Sequence, residues 1–351
     1  LERHLACLRG IADTIPRHIV EPDNLSYTPR LGVICSAEEL EAVRARADEI
    51  GAPDVSVGAH ELVSDFILNA PDTRYNRERE HGIKLLGRAK EAAIVGAVKR
   101  DAALLRAAAE YAVAEVLTIN WDWGMISRFP GSSFEIRSFM QEVVLEDLAA
   151  VLDLASEFLT PNMAGLIRRR MAEDGIGNIN FNSWKHEYIH HCNQLPAFSA
   201  GRIAAYTALK RSWPRVRPYL ELAVEELNAS LEDTVLSDGG FVVGPSYLHY
   251  TMMRGLTALG YYARTEGKEL RDIVPPSVLA TERFADALAS IDPAQDHIPI
   301  CDAHANTSGA ALAGLASLMP SSVWTTMYRN RRRAPNESMS FEEAILEATI
   351  P

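Results

Sequence analysis

The sequence predicts an all-α protein assembled from helical hairpins. Three observations carry this. Apolar residues recur at helical spacing in segment after segment, with capping signals at the segment ends. No run of alternating residues and no strand–helix–strand rhythm interrupts them. The helices, roughly ten to twelve by these signals, are spaced in pairs but share no fixed-length repeat. That pattern argues against a TPR or ankyrin solenoid and favours a closed ring of hairpins.

The elements follow in chain order. Ser36-Ala37-Glu38-Glu39 is a capping box that opens a helix over Ala37 to Ile50, and Gly51-Ala52-Pro53 stops it. Residues 83–118 are rich in Ala, Leu, Glu, Lys and Arg, and a break near Gly96 to Arg100 divides them into two helices. Phe139 to Phe158 is a further helix, and Thr160-Pro161 opens the next, over Asn162 to Glu173. Leu195 to Lys210 carries Pro196 in its first turn, where proline is tolerated. Arg215 to Leu231, Tyr247 to Arg264, Val278 to Ser290 and the short apolar Ala310 to Met319 complete the set. Long polar loops are expected at 119–136, 174–194 and 232–246, gathered at one end of the ring as the walls of a cleft.

Bulk properties narrow the function classes. At 351 residues, 47% hydrophobic and 23% charged, the chain can bury a large core. It is expected to form a single domain, with an arm over 1–35, the helical body over 36–320 and a tail or linker over 321–351. A net charge of −12 argues against a general nucleic-acid binder and requires a local basic pocket for any anionic substrate. No uninterrupted apolar run is long enough to span a membrane. Cys7, Cys35, Cys192 and Cys301 have neither metal-like spacing nor a disulfide-dense pattern. The chain begins at Leu1, without a signal peptide, and ends at Pro351, so a processed chain or a portion of a longer protein is expected.

Four stretches are rich in functional groups. In Asp238-Gly239-Gly240 to Gly244-Pro245-Ser246-Tyr247 a turn-rich loop hands a tyrosine to the start of a helix. Tyr247, Tyr250 and Arg254 then share one face by i, i+3, i+7 spacing. A cation beside a phenol lowers its pKa from about 10; the same spacing also suits plain packing aromatics. Upstream, Asn180 to Gln194 is dense in amides and imidazoles. Within it His186-Glu187-Tyr188-Ile189-His190 matches the zinc-protease string, but no third ligand is evident and Pro196 follows closely, so no metal is expected. A polar loop tying two helices together is the other reading. Trp123, with Arg128 and Arg137, can stack on sugar rings and hold carboxylates, or anchor a helix end. Asp302 and His304 fall in a short polar loop.

Three stretches together resemble the heparinase II/III-like polysaccharide lyases. Pro29-Arg30-Leu31 running into the Ser36 capping box is similar to the family's opening signature. Cys192-Asn193-Gln194 leading to Ala200-Gly201-Arg202 is similar to the segment carrying a catalytic Asn or His. Asp238-Gly239 to Tyr247 is similar to the loop whose Pro-x-Tyr tyrosine is catalytic. The likeness covers roughly residues 25–320. It departs from the family at Val243, where many members have a glutamate, and in the Asn-His pair, since Gln194 follows Asn193 while His190 and His191 precede it.

The resemblance implies an incomplete α/α toroid and cleavage of a uronic-acid polysaccharide by β-elimination, with no cofactor. Tyr247 would act as base and acid, and Asn193 with His190 or His191 would neutralise the uronate carboxylate. Arg254, Tyr250, Arg202, Trp184, His186, Trp123, Arg128 and Arg137 would bind substrate. Characterised members also carry a C-terminal β-sandwich; none is read before Pro351, so the toroid portion alone is expected here. A periplasmic or secreted location follows from the substrate class. The alternatives are a glycoside hydrolase on an α/α ring, drawing two carboxyls from Asp238, Glu187, Asp302 and Asp122, and a non-catalytic carbohydrate-binding protein.

Overall fold

The computed structural model describes residues 10–56, 58–59, 87–117, 121, 138–289, 298, 300, 307–331 and 337–350. Among them the regular structure is helical, and extended pairing is limited to isolated bridges such as Val235 with Phe241. No described helix is long and apolar enough to cross a membrane.

The N-terminal helices follow their local signals. Helix α1 (Ala37–Arg44) opens on the Ser36–Glu39 capping box, with both reciprocal bonds formed. It is shorter than expected and gives way to a 3-10 turn at Ala47–Glu49. Helices α2 (Arg88–Lys99) and α3 (Ala102–Leu117) form a hairpin broken at Arg100, which adopts a left-handed conformation, φ 54°. Gly96 permits their close approach, because a Cβ there would lie 2.9 Å from the Leu105 backbone nitrogen.

Helix α4 (Phe139–Leu154) is buried along most of its length. Helix α5 (Pro161–Arg170) starts at the Thr160 cap and runs through a π-helical segment, Met171–Ile176, into α6 (Gly177–Lys185). The long loop expected over 174–194 is therefore mostly helical, with a 3-10 turn at Glu187–His191 closing it. Its polar composition misled, because Asn180 and Asn182 donate their side-chain N–H groups from within a helix, to Tyr206 and Ser138.

Helices α7 (Gln194–Leu209), α8 (Arg217–Thr234) and α9 (Pro245–Glu266) follow, then α10 (Pro276–Leu288) and α11 (Gly309–Leu318). The stretch 321–351, expected as a tail or linker, instead forms α12 (Val323–Asn330) and α13 (Phe341–Glu347), which bury Trp324 and Phe341. The arm is docked as well. Asp153 of α4 accepts the amides of Leu31, Gly32, Val33 and Ile34 at 2.7–3.0 Å.

The main packing pairs run from α2 to α4, α7, α9 and α11, and α13 and α1 lead back to α2. Helices α4 and α7 are parallel: Phe139 meets Phe198 with ring centroids 5.0 Å apart, and one turn on Gly201 lies against Glu142. A Cβ on Gly201 would sit 2.0 Å from the Glu142 carbonyl oxygen, so only glycine allows this approach. Helix α9 runs the same way. Its Arg254 reaches Glu142, and its end at Glu266 meets Lys210, just past α7. Helix α11 follows suit, pairing Thr307 with His249 and Gly314 with Leu256. Helix α2 shares the direction: its first turn binds Asp147, while Ala97, near its end, shares Arg44 with the arm that docks at Asp153.

Candidate functional site

Parallel packing puts several helix N-termini at one end of the molecule. Asn193 caps α7, Gly244 caps α9 and Ser308 caps α11, and Ser138 precedes α4. Each N-terminus carries partial positive charge on its unpaired amides. Measured from Glu142, Asn193 lies eight residues before Gly201 and Tyr247 seven before Arg254. At the helical rise those are drops of about 12 and about 10 Å, so the two residues stand at nearly the same level. Asn193 is half-buried, and its side chain makes no hydrogen bond among the described residues. Tyr247 is half-buried and packs against the core. Gly244, with φ 99°, turns the chain into Pro245 at the helix start.

Below Tyr247 on α9 the polar face continues into the protein. Tyr250 is half-buried, and its pKa is pushed up to about 12 by burial and then by Glu142; Arg254 opposes this without prevailing. This corrects the expectation that Arg254 would favour a phenolate there. Arg254 instead ion-pairs with Glu142 and with Glu146, the latter at 2.6 Å. Glu146 also accepts from Tyr261 at 2.7 Å and lies 3.1 Å from Lys90, which reaches Glu342 at 2.7 Å. Burial raises Glu142, and neighbouring Glu146 adds to this. Glu146 is lowered despite burial, because Arg254 and Lys90 face it.

A second buried acid pair lies nearby. Burial raises Glu115, and so does the charge of Asp147. Asp147 accepts the amides of Gly87 and Lys90 at 2.6 and 2.7 Å. Sequence reasoning missed Lys90, Glu115, Glu142, Glu146, Tyr261 and Glu342. The available signal was the i, i+4 pair Glu142 and Glu146 on a largely apolar helix.

The other expected residues are dispersed. His190 bonds through Nε2 to the Ser183 carbonyl at 3.0 Å, and its own carbonyl accepts from Ser230. His191 is exposed, and Asp233, 2.6 Å from Nδ1, raises its pKa through that hydrogen bond. Both histidines therefore bond toward α6 and α8. His186 precedes the 3-10 turn in extended geometry, so His186 and His190 do not share an α-helical face. Among the described residues no cluster of three acidic, His or Cys side chains could hold a metal.

Arg202 is fully buried and pairs with Glu226 at 2.5 Å, so it does not present itself to solvent. Trp184 is 53% exposed, and its indole nitrogen donates to the same Glu226 at 2.8 Å. Asp238 is spent inside its turn, accepting the Gly240 amide at 2.9 Å. Glu187 is exposed beside His191. Trp123, Arg128, Arg137, Asp122, Asp302 and His304 lie outside the described residues. Comparison of the chain with protein-family models and with curated proteins returns no match.

Proposed function

We propose that the chain is the helical portion of a polysaccharide lyase that cleaves a uronic-acid polymer by β-elimination. In this reading the parallel helices α2, α4, α7, α9 and α11 are the inner ring of an incomplete α/α toroid, and the end carrying their N-termini is the cleft. The observation that carries it is the placement of Asn193 and Tyr247 at one level of two parallel, packed helices.

The chemistry needs two things at that end. Removing the C5 proton of a uronate builds a second negative charge on a group already anionic. The Asn193 amide and the adjacent helix N-termini meet that charge, and such preorganised donors are worth several kcal/mol in a dry site. They also answer how a chain of net charge −12 attracts an anion. Tyr247 accepts the C5 proton and returns one to the O4 leaving group. Arg254 holds the floor of the cleft through Glu142 and Glu146 and is not itself a ligand for substrate. A polysaccharide substrate implies a periplasmic or secreted enzyme.

The test is a panel of alginate, heparan-type and other uronate polymers scored for ultraviolet-absorbing unsaturated products. Wild-type protein should produce them from at least one polymer. Tyr247→Phe should not, while keeping its melting temperature within about 2 °C. An active Tyr247→Phe protein, or products lacking the double bond, would remove the assignment.

A further inference from the structure

The structure points to a second ligand site, and we propose that it binds a single neutral sugar ring. Between α2, α4, α9 and α13 lies a cavity of about 470 Å³, within the roughly 300–1,000 Å³ range of small-ligand pockets. Lys90, Glu146, Arg254 and Glu342 line it, with Ile94 and Phe341 as its apolar wall. The proposal does not depend on the lyase reading, since none of these residues performs chemistry in that scheme.

The lining selects against charged ligands. The carboxyls of Glu91, Glu146, Asp147 and Glu342 outnumber the cations Lys90 and Arg254, so an anion meets net repulsion. An ammonium gains little, because Glu146 and Glu342 already hold Lys90 at 3.1 and 2.7 Å. What the wall retains is unused hydrogen-bonding capacity on both sides. The Lys90 ammonium contacts Glu146, Glu342 and the Tyr261 hydroxyl, so its three donors are committed. Arg254 commits Nη2 to its two glutamates, while its Nη1 makes no hydrogen bond and is not fully buried. Ionised carboxylates each accept at about four positions, so Glu146 and Glu342 keep acceptor sites. Donor N–H on one side and acceptor oxygens on the other suit a vicinal diol, whose hydroxyls both give and receive. The apolar wall suits the C–H face of a pyranose.

Ala52 is exposed at the cavity rim, so Ala52→Trp obstructs the space without touching the ionic network. Binding of methyl glucoside, methyl galactoside, methyl mannoside and glucuronate would be followed by saturation-transfer NMR and titration calorimetry. We expect saturable binding of at least one neutral glycoside, weakened tenfold or more by Ala52→Trp at unchanged melting temperature. Glu342→Gln should weaken it as well. No binding of any of the three neutral glycosides, equal binding to Ala52→Trp, or preference for glucuronate would overturn the proposal.

Discussion

Lys210, the residue after α7, lies 2.6 Å from Glu266 at the end of α9. The contact matches the C-terminal ends of the two helices, and the 17 residues from Lys210 back to Asn193 nearly match the 19 from Glu266 back to Tyr247. Lys210, where α7 gives way to a loop, thereby becomes the neighbour of a residue 56 positions later. Asn193→Ala should lower kcat on the preferred uronate polymer by about 10²–10³ with little change in KM, as expected for one lost oxyanion donor. Steady-state kinetics checks this, and equal loss in KM and kcat would reassign Asn193 to uniform substrate binding.

Arg254 is expected to be structural. Replacing it with Ala leaves Glu146 charged and buried among fewer partners, at a cost of about 3–5 kcal/mol. Chemical denaturation should show this loss in the absence of any ligand. Arg254→Lys, which keeps the charge but not the fork, should recover part of it. A stable Arg254→Ala protein that merely binds substrate poorly would restore Arg254 to the substrate contacts.

Glu115 makes stability depend on pH with a definite sign. Its folded pKa is raised, so the folded state holds a proton that the unfolded chain releases above the ordinary carboxyl value of 4.5. The unfolded state therefore gains relative stability as pH rises from there toward the folded pKa. Glu115→Gln keeps the side chain's shape and removes this slope. Its melting temperature relative to wild type should be higher at pH 8 than at pH 4.5 by about 1–3 °C. A difference independent of pH would show that Glu115 is ionised in the folded state.

Gly201→Ala should be among the more damaging single-methyl changes in the protein. The added carbon would meet the Glu142 carbonyl carbon at 2.6 Å as well as its oxygen, both of them backbone atoms that cannot swing aside. Overpacking of this kind costs about 1–3 kcal/mol or more. Gly165→Ala, on a helix face with nothing within 4 Å, is the control and should be neutral or slightly stabilising. Thermal melts of the two variants decide the point.

Local chemistry made much of the fold readable. The Ser36 capping box, the Thr160-Pro161 start and the paired apolar runs each act within a few residues, and the helices begin where these signals stand. Lengths were harder. The helix opened by Ser36 stops at Arg44, its last residue, whose side chain bonds the carbonyls of Tyr27 and Ala97. The segment 174–194 hid a helix because its asparagines carry no apolar period yet find partners on α7 and beside α4. The buried ionic floor was unreadable for a similar reason. Glu146 takes its charge partners from Lys90, 56 positions before it, and Arg254, 108 positions after it. Nothing short-range in sequence announces such a meeting.

Helix α13 packs against α1 and α11, and its first residues carry Glu342 to Lys90 near the start of α2. A nascent chain leaving the ribosome can pair its early hairpins at once, yet the space between α1 and α11 stays open until α13 emerges. Lys90 waits for one of its two carboxylate partners until α13 has emerged. A chain cut before α13 would therefore leave Lys90 with Glu146 alone and uncover the flank of α11 to chaperones and proteases.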